Sequence, residues 1–312
     1  MSKVILNINA SSLRSSSCLL HWYRTIVQGY SEKVFNNKIV FGIAGHEYLK
    51  QAYRTGNLIE ARDKALAVFD QPKFTKDTKD EYQNDRGFFN YVCFDLWQNY
   101  ASVDPTFQLF LTPEGLPAVE QTFSILFYED DNVIVNLCGT IDKIGRIKGG
   151  GNAIGDWKFT SFWDTKAFLS NFAMASQLRF YVLALKLMAR HFPNSQLGEI
   201  GRGPLGAFID GIFLKPKVSE IVYKRSDVFI FKDNEMKSFE DSLVRRIKQF
   251  SQAIGDGTVM VKEGILMNTC QLKFHPCSFF IPCAANNPAI EQLLLEREFK
   301  QTTYDPLHRD IL

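Results

Sequence analysis

The chain has 312 residues and a formal charge of +2, from 36 Lys and Arg against 34 Asp and Glu. That balance excludes a protein that coats nucleic acid through bulk positive charge, so any site for a polyanion must be local. Hydrophobic residues at 46% and charged residues at 22% exclude the disordered and low-complexity classes and leave a globular chain long enough to bury a real core. Residues 1–10 lack the apolar stretch and cleavage site of a secretory signal, and no apolar run reaches the ~18 residues of a membrane span. A cytoplasmic protein with no membrane partner is expected, with its cysteines reduced or metal-bound.

The spacing of Leu19, Leu20, Trp22, Tyr23, Ile26 and Val27 predicts one serine-capped helix from Ser11 to Tyr30, with Cys18 in its first turns. Gly42 to Tyr53 and Leu58 to Phe69 read as two helices divided at Thr55-Gly56-Asn57, residues 71–80 as a polar loop, and Glu81 to Tyr100 as a further helix. The period then changes to two. Val119 to Tyr128, Val133 to Asp142 and Ala153 to Phe159, separated by turns at 129–132 and 148–152, predict an antiparallel three-stranded meander. A long apolar helix is expected from about Thr165 to Phe192, then strands over Leu205–Leu214 and Ile221–Phe231, and an amphipathic helix over Asn234–Ile254. No internal repeat or linker divides the chain. It reads as a single domain over 1–312, with a helical region at about 11–103, an α/β core at about 118–232 and a carboxyl-terminal helix and cysteine region at about 233–312.

Positions two apart on a strand face the same way, so Asp156 and Lys158 project together while Trp157 points to the opposite side. Asp142, at the end of the neighbouring strand, reaches the same point. Two carboxylates converging there repel unless a cation holds them. Oxygen donors suit Mg²⁺ or Mn²⁺, and an imidazole from His46 shifts the preference toward Mn²⁺.

In this order the residues resemble the PD-(D/E)xK nuclease superfamily, and within it the RecB-like branch that includes the AddB nuclease domain and CRISPR-associated exonucleases. The motifs are Gly42-Ile43-Ala44-Gly45-His46 on a helix, Glu120 opening the first strand, Gly139-Thr140-Ile141-Asp142, Asp156-Trp157-Lys158, and Gln177 with Tyr181 on the following helix. The resemblance runs from Ser12 to Cys283. It implies a restriction-endonuclease-like α/β core with a mixed central sheet flanked by helices. It also implies that His46, Asp142, Asp156 and the carbonyl of Trp157 bind the catalytic metal, and that Lys158 orients the attacking water. Gln177 and Tyr181 would line the site, and Glu120 would assist through an outer-shell water.

Three of the six cysteines, Cys270, Cys277 and Cys283, fall within 14 residues. Together with Cys18 they match the branch's arrangement for a [4Fe–4S] cluster, although the spacing of six between Cys270 and Cys277 departs from a frequent Cys-x2-Cys pair. Four thiolates also suit tetrahedral zinc. Either metal would staple the two ends of the chain.

Blander readings accompany each residue. Asp156 and Lys158 can be a surface pair, Gln177 and Tyr181 can be buried by the apolar helix around them, and Cys93 and Cys138 are most simply core residues. Arg245, Arg246 and Lys248 fit a solvated helix face. Phe162 and Trp163 mostly add to a large aromatic content, with stacking on unpaired bases as the functional reading. The resemblance implies a metal-dependent DNA nuclease, an exonuclease on single-stranded DNA ends. The competing class is a non-catalytic DNA-end-binding or assembly subunit of a recombination or repair complex. No Gly-x4-Gly-Lys-(Ser/Thr) loop is present, so a helicase motor, like a recombination or CRISPR protein, would be a separate partner.

Overall fold

The computed structural model describes residues 3–33, 37–71, 79–101, 106–215, 220–259, 261–262, 270, 277–285 and 287–304. The chain opens with β1 (Val4–Ile8), α1 (Ser12–Ser15), α2 (Leu19–Trp22), a π-helical turn at Tyr23–Val27 and β2 (Tyr30–Glu32). The single helix expected over 11–30 is therefore broken. Cys18 is extended, with φ −129° and ψ 117°, and it precedes α2 as its cap residue instead of lying inside a turn.

Three helices follow: α3 (Asn37–Thr55), α4 (Leu58–Phe69) and α5 (Lys79–Leu96), the last continuing into a π-helical turn at Trp97–Ala101. The division at 55–57 is as the sequence predicts, because Gly56 takes φ +67° and Asn57 accepts from the Glu60 amide to cap α4. Most of the expected loop over 71–80 lies outside the described residues. Then come β3 (Phe107–Leu109), β4 (Val119–Glu129), β5 (Val133–Ile147) and β6 (Asn152–Thr160). Asp142 thus lies within β5 rather than at its end.

The long helix expected from 165 to 192 is two helices, α6 (Thr165–Ser170) and α7 (Ser176–His191), joined by a 3₁₀ turn at Asn171–Ala173. Ala175 is extended, with ψ 138°, and no glycine or proline marks that break. After α8 (Gln196–Gly201) and β7 (Leu205–Lys215), the expected strand over 221–231 divides into β8 (Glu220–Arg225) and β9 (Phe229–Ile230). The last elements among the described residues are α9 (Asp233–Gly255), α10 (Phe280–Ala284), α11 (Pro288–Glu298) and β10 (Phe299–Gln301).

The fold divides into two compact units. One holds the described residues between 34 and 122 and between 140 and 232, and it contains every residue of the candidate active site. Its sheet is mixed: β6 is antiparallel to β5 and parallel to β7, β7 is antiparallel to β8, and β3 and β9 extend it. The parallel step requires a crossover, which α6, α7 and α8 provide. One face of β6 and β7 offers Trp157, Ile212 and Leu214 to a core built with Ala44 and Tyr48 of α3, Ala61 and Ala65 of α4, and Phe89 and Val92 of α5. This is the restriction-endonuclease-like arrangement of a mixed sheet flanked by helices.

The other unit holds the described residues of 3–33, 123–139 and 233–304. Here β1 runs parallel to the first part of β5, from Val4 beside Val133 to Ile8 beside Leu137, and β10 pairs with β2. Trp22 meets Phe250 of α9 edge to face, and Phe279 stacks on Phe299 with centroids 4.5 Å apart. Among the described residues no single helix is long and apolar enough to cross a membrane, and α6 with α7 pass that test only as a pair bent by 42°.

Helix α3 approaches β6 closely because Gly45 has no side chain: a Cβ there would lie 2.2 Å from the Phe159 ring. Gly42, the other glycine of that motif, faces open space. Replacing Gly45→Ala therefore overpacks the contact that seats α3. We expect a loss of about 1–3 kcal/mol, read as a lower denaturant midpoint at unchanged m-value, with Gly42→Ala as the neutral control.

Candidate active site

The sheet register builds the site. Lys143 of β5 pairs with Gly155 of β6, and one further step along the two strands brings Asp142 beside Asp156. The ladder between the two strands stops at this point. The Trp157 amide is instead satisfied by Asp142, which accepts through Oδ2 at 2.7 Å. Alternation along β6 places Asp156 and Lys158 together, as the sequence predicts, and their ion pair measures 2.5 Å.

His46 comes from α3, immediately after Gly45. Its Nε2 lies 3.1 Å from the Trp157 carbonyl oxygen, and its Nδ1 lies 3.0 Å from Glu120 Oε1 and 3.5 Å from Asp142 Oδ1. Glu120 holds a left-handed φ of 49°, the only non-glycine positive φ among the described residues. Such a conformation costs on the order of 1–3 kcal/mol and persists where surrounding contacts enforce it. Arg54 of α3 supplies two of them, donating to the carbonyls of Val119 at 2.9 Å and Glu120 at 3.3 Å. Glu120 thus reaches the centre directly, closer than the outer-shell position expected of it.

His46, Glu120 and Asp142 each offer a ligand atom, and these atoms lie within 4.8 Å of one another. Octahedral Mg²⁺ at about 2.1 Å from its donors sets them about 3 to 4.2 Å apart, so the donor set fits a divalent cation. The electrostatics agree. Burial pushes the Asp142 carboxyl up to about 7, and although His46 and Lys158 oppose this, Asp156 and Glu120 add to it. Three buried carboxylates therefore share one pocket of negative potential. Asp156 is not part of the three-donor group. Its Oδ1 accepts from Gln177 Nε2 at 2.7 Å, and its Oδ2 faces Lys158. Gln177 also donates to the hydroxyl of Tyr181 at 3.3 Å. The pair on α7 expected to line the site is thus brought to it through Asp156.

Sequence reasoning missed the buried network behind Trp157. Asp210 of β7, the register partner of Trp157, accepts from Arg225 Nε at 2.7 Å and pairs with Lys143 and with the Tyr100 hydroxyl. Tyr100 in turn accepts from Lys143 at 2.9 Å and from the Trp157 indole at 2.9 Å. Burial alone would raise the Asp210 carboxyl, but Lys143 and Arg225 outweigh it and hold it at about 2. The signal was present in the sequence as a lone Asp inside the apolar run 205–214, which only a buried partner makes tolerable.

The four candidate cofactor cysteines lie in the other unit. The Cys277 thiol is pushed up by burial, and Cys283, Cys270 and Cys18 each raise it further. Burial, Cys18 and Cys283 raise Cys270 in the same way. The four thiols therefore share one electrostatic neighbourhood, yet among the described residues no three of their sulfurs gather within 4.8 Å. The His21 ring lies 3.4 Å from the Cys277 sulfur, and the buried Arg24 donates to the Cys283 sulfur at 3.2 Å. Cys93 and Cys138 are buried core residues.

A mixed sheet that gathers one imidazole, three carboxylates and a lysine defines a candidate metal centre of hydrolytic type. The sequence model of the PD-(D/E)XK nuclease superfamily matches residues 8–278. The chain belongs to this superfamily of nucleases. No curated protein matches the sequence significantly. A solved structure titled "Crystal structure of SSO0001" aligns over 77% of this chain and 84% of its own at 14% identity, with a TM-score of 0.26.

A carboxyl raised in the folded state loses its proton at a cost to stability. Asp142 is neutral in the fold below about 7 but ionised in the unfolded chain above ~4, so metal-free stability falls as pH rises between these values and stays low above them. In EDTA, Asp142→Asn should raise the melting temperature by several degrees at about pH 8 and by little at about pH 5, measured by thermal denaturation.

Proposed function

We propose that this protein is a metal-dependent deoxyribonuclease that hydrolyses phosphodiester bonds at single-stranded DNA ends, as an exonuclease. The observation that carries the reading is the three-donor group of His46, Glu120 and Asp142 beside the Asp156–Lys158 pair. A binding module gains nothing from buried carboxylates that would face an anionic backbone.

In this reading His46, Glu120, Asp142 and Asp156 hold the Mg²⁺ or Mn²⁺, with the Trp157 carbonyl as a further ligand. A divalent cation held there lowers the pKa of bound water and neutralises phosphoryl oxygens. Lys158, its side chain 25% exposed, orients the attacking water and places a positive charge where the phosphate accumulates negative charge. Gln177 fixes the rotamer of Asp156, and Tyr181 fixes Gln177. The two units act as one nuclease domain, an assignment supported by a family match that runs through both. Cys18, Cys270, Cys277 and Cys283 hold a [4Fe–4S] cluster, with zinc as the alternative. Support comes from the shared neighbourhood of the four thiols, and a single zinc at about 2.3 Å per bond asks for sulfurs closer than those observed. The protein works in the cytoplasm beside a separate helicase or recombination partner.

The test is cleavage of end-labelled linear and circular single-stranded DNA with Mg²⁺, Mn²⁺ or EDTA. Metal-dependent loss of the linear form alone is the expected result; cut circles would make it an endonuclease, and metal-independent binding without cleavage would return it to the non-catalytic class. Asp156→Ala and Lys158→Ala should each lower cleavage by ~100-fold or more while the protein stays folded, and near-wild-type activity in either would sink the assignment. Cys277→Ala should strip bound iron or zinc and lower the melting temperature, which elemental analysis and calorimetry check.

A further inference from the structure

Trp163, five residues after Lys158, is 82% exposed, and Met174, three residues before Gln177, is 83% exposed. Trp22 and Trp157 are fully buried and Trp97 is half-buried, so the exposed indole is an exception within this chain. Its surroundings are ordered. Phe162 donates its amide to Thr160 Oγ1 at 3.1 Å, and Asp164 caps α6 by accepting from the Ala167 amide at 3.0 Å. The backbone on both sides of the ring is thereby fixed. Phe162 is 45% exposed and braced by Phe168 at 5.8 Å, which in turn packs on Phe213 of β7 at 5.5 Å.

A cation completes the set. Lys215 ends β7, the parallel neighbour of β6, and its Nζ lies 5.2 Å from the Trp163 ring centroid. It also pairs with Glu220 at 2.8 Å, so the ring and not the ammonium is the principal feature. From Lys158 to Trp163 the chain spans at most ~17 Å, the reach of a few nucleotides.

We propose that Trp163 and Phe162, with Lys215 beside them, form a base-stacking platform for an unpaired nucleic-acid strand leading to the end of β6. Flat apolar rings take base faces without regard to sequence; Lys215 lies over one face of the indole, which leaves the other face for a base and sets a positive charge within reach of its phosphate. A duplex keeps its base faces covered by their neighbours, so this surface discriminates single from double strands. The inference rests on the nuclease reading above and names the part of the protein that would recognise its substrate.

The experiment has a binding arm and a cleavage arm. In EDTA, oligo(dT) of about 12 nucleotides should quench the indole emission of the wild type, and Trp163→Phe should lose most of that quenching while keeping affinity within about threefold. Trp163→Ala should weaken oligo(dT) binding by about 5- to 150-fold, the range of one lost stack. With Mg²⁺ it should raise KM for the single strand by a similar factor and leave KM for a blunt duplex of the same length within about twofold. Unchanged oligo(dT) affinity in Trp163→Ala would overturn the platform and leave the surface to a protein partner. Equal losses on single strand and duplex would overturn it as well. A wild type that binds but cleaves no DNA would refute the nuclease reading, while the binding arm still decides the platform.

Discussion

The site depends on one hydrogen bond that replaces another. Between β5 and β6 the ladder stops at Lys143 and Gly155, and the next free amide, that of Trp157, is taken by the Asp142 side chain. That exchange fixes the carboxylate in the sheet. It also opens the ladder at the one place where an outside group must enter. Lys143 lies 5.8 Å from the Trp157 ring, so these two share a face and Asp142, the neighbour of Lys143, projects to the other. His46 arrives on α3, which packs on the Trp157 face through Gly45 and Phe159. Only where the strands part can its ring meet both the Trp157 carbonyl and Asp142.

The face that carries Trp157 supplies the rigidity. Replacing buried ion pairs by apolar groups is often neutral for stability, so the Asp210, Lys143 and Arg225 network is poorly explained as a source of folding energy alone. What it does is hold Trp157 from behind: the indole donates to Tyr100, Tyr100 donates to Asp210, and Tyr53 stacks on the indole with centroids 6.0 Å apart. The carbonyl facing His46 and the Asp156 and Lys158 side chains belong to the same short strand. Their directions are settled by contacts made on the far side of the sheet.

How much of this was legible in the sequence follows from how local each cause is. The common face of Asp156 and Lys158 needs only strand alternation, and α4 was read with its exact bounds because Asn57 and Gly56 carry its start signal. The break between α6 and α7 was not legible, since the mostly apolar pattern continues through Asn171–Ala175 and no glycine or proline marks it. β1 was missed because it pairs with β5, more than 120 residues away in sequence. The convergence of Asp142 and Asp156 on a cation was readable from strand alternation and charge, whereas Glu120 was tied to the site only through the order of the family motifs. Asp210 stands out as a lone acid in an apolar run, but its partners could not be assigned because its counter-charges come from β5 and β8, which no local pattern connects.

A broken helix has a second beginning. Ala175 caps α7 without a side-chain hydrogen bond, so the first amides of α7 carry the positive end of its macrodipole, roughly half an elementary charge. Gln177, in that first turn, touches Asp156 directly. A continuous helix from 165 to 192 would have put mid-helix backbone there, with its amides already spent. The interruption therefore sets fixed partial charge within one side chain's length of an acid, and because backbone dipoles do not titrate, this influence is the same at every pH.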